Sequence, residues 1–211
     1  MVDKKYKVIG IFATPLVKVP NFLSEEQCSD MLELCKTLDY KDKMVSDVRM
    51  SLELNVISKH FVDIKNSIEK TFTEFAYEVL GIEPTCDFKI CSSWATRTPS
   101  NGQGIPHVHV NSYWSGVLYF DDETSPISFN RETDNTIFHF NTPTINEWNA
   151  PYLNLNLEND KGSMILFPSN LIHRIVQNKS MKTRYSIAFN LLPNGLFGLD
   201  DSSSRIQVLD I

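Results

Sequence analysis

The sequence predicts a mainly β protein of jelly-roll type with helices gathered at its N-terminus, and three observations carry that prediction. Apolar residues recur at three- and four-residue spacing in the first third of the chain. After Pro84 the period changes to two, in short segments rich in β-branched and aromatic residues that Pro, Gly, Asn and Asp separate. No helical pattern interrupts those segments, and short strands in unbroken succession suggest an antiparallel double sheet with the helices packed on one outer face.

The first helix starts at a capping box, Ser24-Glu25-Glu26-Gln27. The Ser24 hydroxyl can accept from the Gln27 amide while the Gln27 side chain reaches back to the amide of Ser24. Cys28, Met31, Leu32, Cys35 and Leu38 then form one apolar stripe. A second, longer helix is carried by Ile57, Phe61, Ile64, Ile68, Phe72, Phe75, Ala76 and Val79, with Gly81 placed to end it. Strands are predicted near 86–97, 105–110, 114–120, 126–130, 136–140, 152–157, 163–167, 172–177 and 183–191. The 211 residues suit one domain. Residues 1–84 supply an N-terminal strand and support helices, 85–195 the β core, and 196–211 a C-terminal tail.

With 42% apolar residues the chain can bury a core. Its net charge of −6 and lack of a Lys/Arg cluster argue against nucleic acid or an anionic membrane as partner, because both require a positive patch. Cys28, Cys35, Cys86 and Cys91 form no CxxC pair and are read as reduced core thiols of a cytoplasmic protein. Residues 8–13 imitate a signal peptide, but Pro15 and Lys18 interrupt the run and no long apolar stretch follows.

The chemistry centres on His107 and His109. On a strand, residues i and i+2 share a face, so both rings can point inward and offer nitrogens to one metal ion. On spacing alone the alternative stands open that one histidine packs and the other is solvated. His173 adds a third imidazole after the apolar run Gly162-Ser163-Met164-Ile165-Leu166-Phe167-Pro168. In Thr183–Asn190, alternation puts Arg184, Ser186, Ala188 and Asn190 on one face and Tyr185, Ile187, Phe189 and Leu191 on the other. Either the polar face meets water, as on an ordinary outer strand, or it lines a cavity in which Arg184 anchors a carboxylate.

The HxH pair, then Gly162-Ser163-Met164-Ile165-Leu166-Phe167-Pro168-Ser169-Asn170-Leu171-Ile172-His173, then Arg184-Tyr185-Ser186-Ile187-Ala188-Phe189-Asn190 resembles the 2-oxoglutarate- and Fe(II)-dependent oxygenases. Within them it resembles a bacterial and phage branch of the prolyl-hydroxylase-like group, over residues 85–195. Ile11–Leu16 resembles that branch's opening strand. The resemblance implies a double-stranded β-helix with support helices, Fe(II) as metal, 2-oxoglutarate as co-substrate, and hydroxylation of an unidentified substrate, with a protein or peptide side chain as the leading class. His107, His109 and His173 would hold the metal. Arg184 would pair with the far carboxylate of 2-oxoglutarate, Ser186 would add a hydrogen bond to it, and Tyr119 falls where related hydroxylases place a co-substrate tyrosine.

One departure concerns His109, which stands where an Asp or Glu usually completes the ligand set and which removes a negative charge from the metal's surroundings. An alternative ligand set uses His109 first and Asn111 second, leaving His107 behind them. Two other functions compete: a three-histidine cupin-like metalloprotein that uses no keto acid, and a non-catalytic jelly-roll module. His60 and His139 are expected to be structural or surface residues, and Trp94, Trp114 and Trp148 to pack, Trp94 and Trp114 next to the mouth of the site. Asp121-Asp122-Glu123 is expected to be a solvated turn, and the polar, aromatic stretch between Asp121 and Lys161 is where specificity loops would occur.

Overall fold

A computed structural model describes residues 14–43, 46–123, 125–130, 154–197 and 206–208. The capping box forms as expected and starts helix α1 (Glu25–Thr37): Gln27 N–H donates to Ser24 Oγ at 3.1 Å, and Ser24 N–H donates to Gln27 Oε1 at 2.9 Å. The expected long second helix is two. Helix α2 (Val56–His60) stops at Phe61, whose φ of −137° and ψ of 57° leave the helical region, and α3 (Val62–Glu78) follows. The apolar stripe runs on across this break, which is why periodicity alone reads one helix. Gly81 adopts a left-handed φ of 69° just past the end of α3.

Among the described residues the strands form two antiparallel sheets. The larger has the order β1 (Val17–Val19), β8 (Ser163–Pro168), β5 (Trp114–Tyr119), β10 (Arg184–Phe197), β4 (Cys86–Thr98), β3 (Ser46–Ser51), β2 (Tyr40–Lys43), with β11 (Ile206–Val208) paired to the end of β10. The smaller has the order β7 (Asn154–Leu157), β6 (Ile127–Asn130), β9 (Ile172–Ile175). Two facing sheets with helices on one outer side make the jelly roll that the change of period predicted.

Several boundaries differ from expectation. β1 begins at Val17, so residues 14–16 are not strand, and Ile11–Ala13 lie outside the described residues. Part of the expected tail is sheet, because β10 runs to Phe197 and β11 pairs with it. The expected strand 136–140, with His139, and Trp148 lie outside the described residues. Residues 105–110 are not a strand. Their one ladder contact is an isolated antiparallel pair between His107 and His173, Pro106 supplies no amide, and Asn111 turns the chain with φ 56°.

Strand alternation sorts the larger sheet into two faces. Phe88 and Ile90 of β4, Met164 and Leu166 of β8, and Ile187, Phe189 and Leu191 of β10 meet Met31, Cys35, Ile57, Ile68 and Phe72 of the helices. Trp114 belongs to this core, 5.1 Å from the ring of Phe72. The other face turns toward the smaller sheet, where Ile165 and Phe167 of β8 meet Ile127 and Phe129 of β6. Gly116 makes the close passage of β5 possible, since a Cβ there would collide with the Phe189 ring and Leu166. The cysteines are free, three buried and Cys91 half-buried, and burial pushes the Cys35 thiol up to about 12. No helix of the described residues is long and apolar enough to cross a membrane.

Candidate active site

Between the two sheets lies a cavity of about 370 Å³. The four residues that alternation placed on the polar face of β10, Arg184, Ser186, Ala188 and Asn190, all line it, so that face meets a cavity and not bulk water. Antiparallel register sets Thr98 opposite Arg184, Thr96 opposite Ser186 and Trp94 opposite Ala188, which brings β4 onto the same wall.

His107, His109 and His173 converge at the mouth of this cavity. Each offers a ligand nitrogen, and these atoms all lie within 4.8 Å of one another. His107 and His173 are held by a reciprocal backbone pair, His107 N–H to His173 O and His173 N–H to His107 O, each 3.0 Å. The tautomers follow from what Nδ1 meets. In His173 it faces the Leu171 carbonyl at 2.8 Å and in His107 the Ile105 carbonyl at 2.9 Å. A carbonyl only accepts, so Nδ1 carries a proton in both, and Nε2 is the nitrogen whose lone pair the neutral ring offers. His109 Nδ1 lies 2.8 Å from Asn190 Oδ1 and 2.7 Å from Ser115 Oγ. Burial, first of all, and the other two imidazoles push the His173 pKa down to about 3, so its ring is neutral and ligand-competent. Asn111, the alternative ligand, is exposed at its left-handed turn and does not line the cavity.

Arg184 lies in the same cavity wall and is 2% exposed. Its Nη2 donates to Ser186 Oγ at 3.4 Å, while Nε and Nη1 have no hydrogen-bond partner. Among the described residues no carboxylate forms an ion pair with it. Asp121, the acidic group whose charge it feels, accepts the Tyr185 N–H through Oδ2 at 2.9 Å. Burial accordingly lowers the Arg184 pKa. A buried cation with unused donors is costly unless an anion joins it, and a planar guanidinium suits a carboxylate. Tyr119 faces the guanidinium, with Cζ of Arg184 5.4 Å from its ring centroid. It is 2% exposed, and burial pushes its hydroxyl up to about 12. Ser186 Oγ is also 2.7 Å from Thr96 Oγ1.

Trp94 is a cavity residue, edge-on to His109 with ring centroids 5.3 Å apart. Sequence reasoning missed the polar cluster behind His109. Asn190 was visible on the Arg184 face of β10, whereas Ser115 and Ser169 carry no local signal and are brought in by pairing of distant strands. The acidic turn proves structural: Asp121 is buried, Asp122 pairs with Lys161 at 3.1 Å and Glu123 with Lys182 at 3.3 Å. His60 bonds Glu53 at 3.1 Å, away from the cavity.

Fold and site together define a jelly-roll protein with a three-imidazole cluster and a buried cation in one cavity. Residues 92–190 match the family model described as "Putative 2OG-Fe(II) oxygenase", a stretch that contains all three histidines and Arg184. Over that stretch the chain is similar to the 2OG-Fe(II) oxygenases. No curated protein sequence matches it. Its fold is similar to that of HygX from Streptomyces hygroscopicus, solved with nickel, 2-oxoglutarate and hygromycin B bound (TM-score 0.60, 11% identity, 93% of this chain and 92% of that one). It is also similar to a 2OG-Fe(II) oxygenase family oxidoreductase from Burkholderia pseudomallei (0.59, 10%, 83% and 83%) and to a Pseudomonas putida prolyl-4-hydroxylase (0.55, 12%, 84% and 92%).

Proposed function

We propose that this protein is an Fe(II)- and 2-oxoglutarate-dependent dioxygenase that hydroxylates a protein or peptide side chain. His107, His109 and His173 would hold the metal, and Arg184, aided by Ser186 and Tyr119, would hold the far carboxylate of the keto acid. The observation that carries this reading is Arg184: a fully buried guanidinium whose Nε and Nη1 are unpartnered, on the wall of the cavity that the imidazoles enter. A cupin-like metalloprotein without a keto acid would leave that charge uncompensated. The fit extends to the metal, because three imidazoles within one small triangle form a donor set suited to Fe(II).

Bound Fe(II) and 2-oxoglutarate would let dioxygen, the oxidant, place one of its atoms on a substrate C–H bond and the other in the succinate formed as the keto acid loses CO2. The chain's own residues orient and shield. Carbonyl oxygens of Ile105 and Leu171 hold Nδ1 of two imidazoles, so that Nε2 is the nitrogen that would ligate the metal. Arg184 fixes the direction of the keto acid by a charge-assisted bond inside a wall from which water is excluded. Val117, Ile127 and Ile175 keep that wall apolar. The similarity to a prolyl-4-hydroxylase supports a peptidyl substrate, and four unpaired cysteines support a reducing, cytoplasmic setting.

The test is succinate production from 2-oxoglutarate with Fe(II) and oxygen, first uncoupled and then over a panel of peptides and small molecules. Wild-type protein should form succinate, and a peptide should increase the yield. Arg184→Ala should raise the KM for 2-oxoglutarate by at least tenfold, since truncating one partner of a buried charge pair costs about 2–5 kcal/mol. Absence of succinate under all these conditions would sink the proposal, and metal bound without keto acid would favour the cupin-like reading.

A further inference from the structure

The segment that carries His107 and His109 lies outside the named strands, so the sheet does not aim His109 as it aims His173. The backbone N–H of His109 donates to Ser169 O at 2.9 Å. The His109 ring meets a polar cluster that lies outside the three-histidine set. Asn190 Oδ1 is 2.8 Å from His109 Nδ1 and also accepts from Ser115 Oγ at 2.9 Å, while Asn190 Nδ2 donates to Ser92 Oγ at 3.1 Å. With Nδ2 on Ser92, Oδ1 faces the imidazole and the Ser115 hydroxyl. Ser115 Oγ is 2.8 Å from Ser169 Oγ, which is 2.7 Å from Ser112 Oγ, whose proton goes to the Trp114 carbonyl at 3.0 Å. Ser115 and Ser169 are buried, so this chain of hydroxyls is isolated from competing water.

We infer that Asn190 and Ser115 are positioning residues for His109, fixing its Nδ1–H tautomer and ring angle so that Nε2 completes the metal-binding set. Asn190 Oδ1 accepts the Nδ1 proton, and Ser115 holds Asn190 Oδ1 in place from β5. The cluster replaces the strand ladder that residues 105–110 lack, and it ties that segment to β5, to β10 and to the turn after β8. Because the acceptor is a neutral amide and not a carboxylate, it orients the imidazole without adding charge behind it. The inference rests on the three-histidine reading of the metal site.

The experiment measures Co(II) affinity of metal-free protein by calorimetry, with the visible spectrum of the bound ion as second readout. Asn190→Ala should weaken binding by roughly 10–100-fold, the usual cost of removing a partner behind a ligand, and alter the spectrum. Asn190→Asp, which retains an accepting oxygen, should restore most of the affinity, and Ser115→Ala should give a smaller loss. In a His109→Ala background, Asn190→Ala should cause no further loss, since its effect passes through His109; a general packing defect would weaken both backgrounds equally. Thermal melting of each variant separates unfolding from altered binding, and the Ser115→Ala and Asn190→Asp pair carries the test if Asn190→Ala does not fold. Wild-type protein that binds Co(II), with Asn190→Ala unchanged or with equal losses in the two backgrounds, would overturn this inference alone. Wild-type protein that binds no metal would overturn the site reading and this inference with it.

Discussion

His173 and the pair His107 and His109 reach one point from unlike platforms. His173 stands on β9, paired with β6 through Phe129, is 5% exposed, and has its ring fixed by a carbonyl two residues away. His107 is exposed and His109 half-buried, on a segment that joins the sheets by a few backbone bonds and a cluster of side chains. His173 and His107 are aimed by backbone, through their reciprocal pair and the carbonyls of Leu171 and Ile105, whereas His109 is aimed by side chains drawn from several strands. Two imidazoles of the proposed metal site therefore follow from the backbone, and the third depends on particular polar residues.

The sharpest way to break this contrast is to remove one ligand from each platform. His173→Ala should lower Co(II) affinity in a calorimetric titration by more than the roughly 100-fold upper range for lost outer partners. His107→Ala, which removes a ring at the open mouth, should lower it less. Equal losses would show that the two platforms are equally rigid.

Next in size is the cation in the cavity wall. Arg184→Met should raise the melting temperature of the ligand-free protein, by about 1 kcal/mol or more of stability, because it removes a buried charge with two unused donors. The same change should abolish the stabilisation that 2-oxoglutarate gives the metal-loaded protein. A fall in the ligand-free melting temperature would mean that the guanidinium supports the fold and not a ligand.

The smallest effect is a control on the outer face. Ser24→Ala removes the hydroxyl that accepts from the Gln27 N–H at the start of α1 and should cost about 1 kcal/mol in denaturant unfolding. Metal affinity should stay at the wild-type value, since α1 packs on the face of the larger sheet turned away from the cavity.

Much of this was legible in the chain because it rests on period. Alternation in Arg184–Leu191 separated a polar face from an apolar one, and the structure turns the first to the cavity and the second to the helices. The capping box at Ser24 is local chemistry and reads directly. What period does not report is interruption. The break at Phe61 leaves the apolar stripe intact, and residues 105–110 keep a β-like composition while Pro106 and the turn at Asn111 deny them a ladder. The cluster around His109 was hidden for a different reason: Ser92, Ser115, Ser169 and Asn190 lie on or beside four separate strands, and only their pairing makes them neighbours. His109 in place of a carboxylate looked like the weak point of the ligand set, and the Asn190 and Ser115 contacts give that ring a built setting.

The central claim is that three imidazoles and one buried guanidinium make a single seat for a metal and a keto acid. Its most direct test is an oxygen-free titration of 2-oxoglutarate into Fe(II)-loaded protein, followed by visible absorption. Wild-type protein should develop a weak charge-transfer band that saturates with 2-oxoglutarate. His173→Ala should show none, and Arg184→Ala should need at least tenfold more keto acid to reach the same band, as expected for loss of a buried charge pair. No band in the wild type, or a band in Arg184→Ala that saturates at the wild-type concentration, would contradict it.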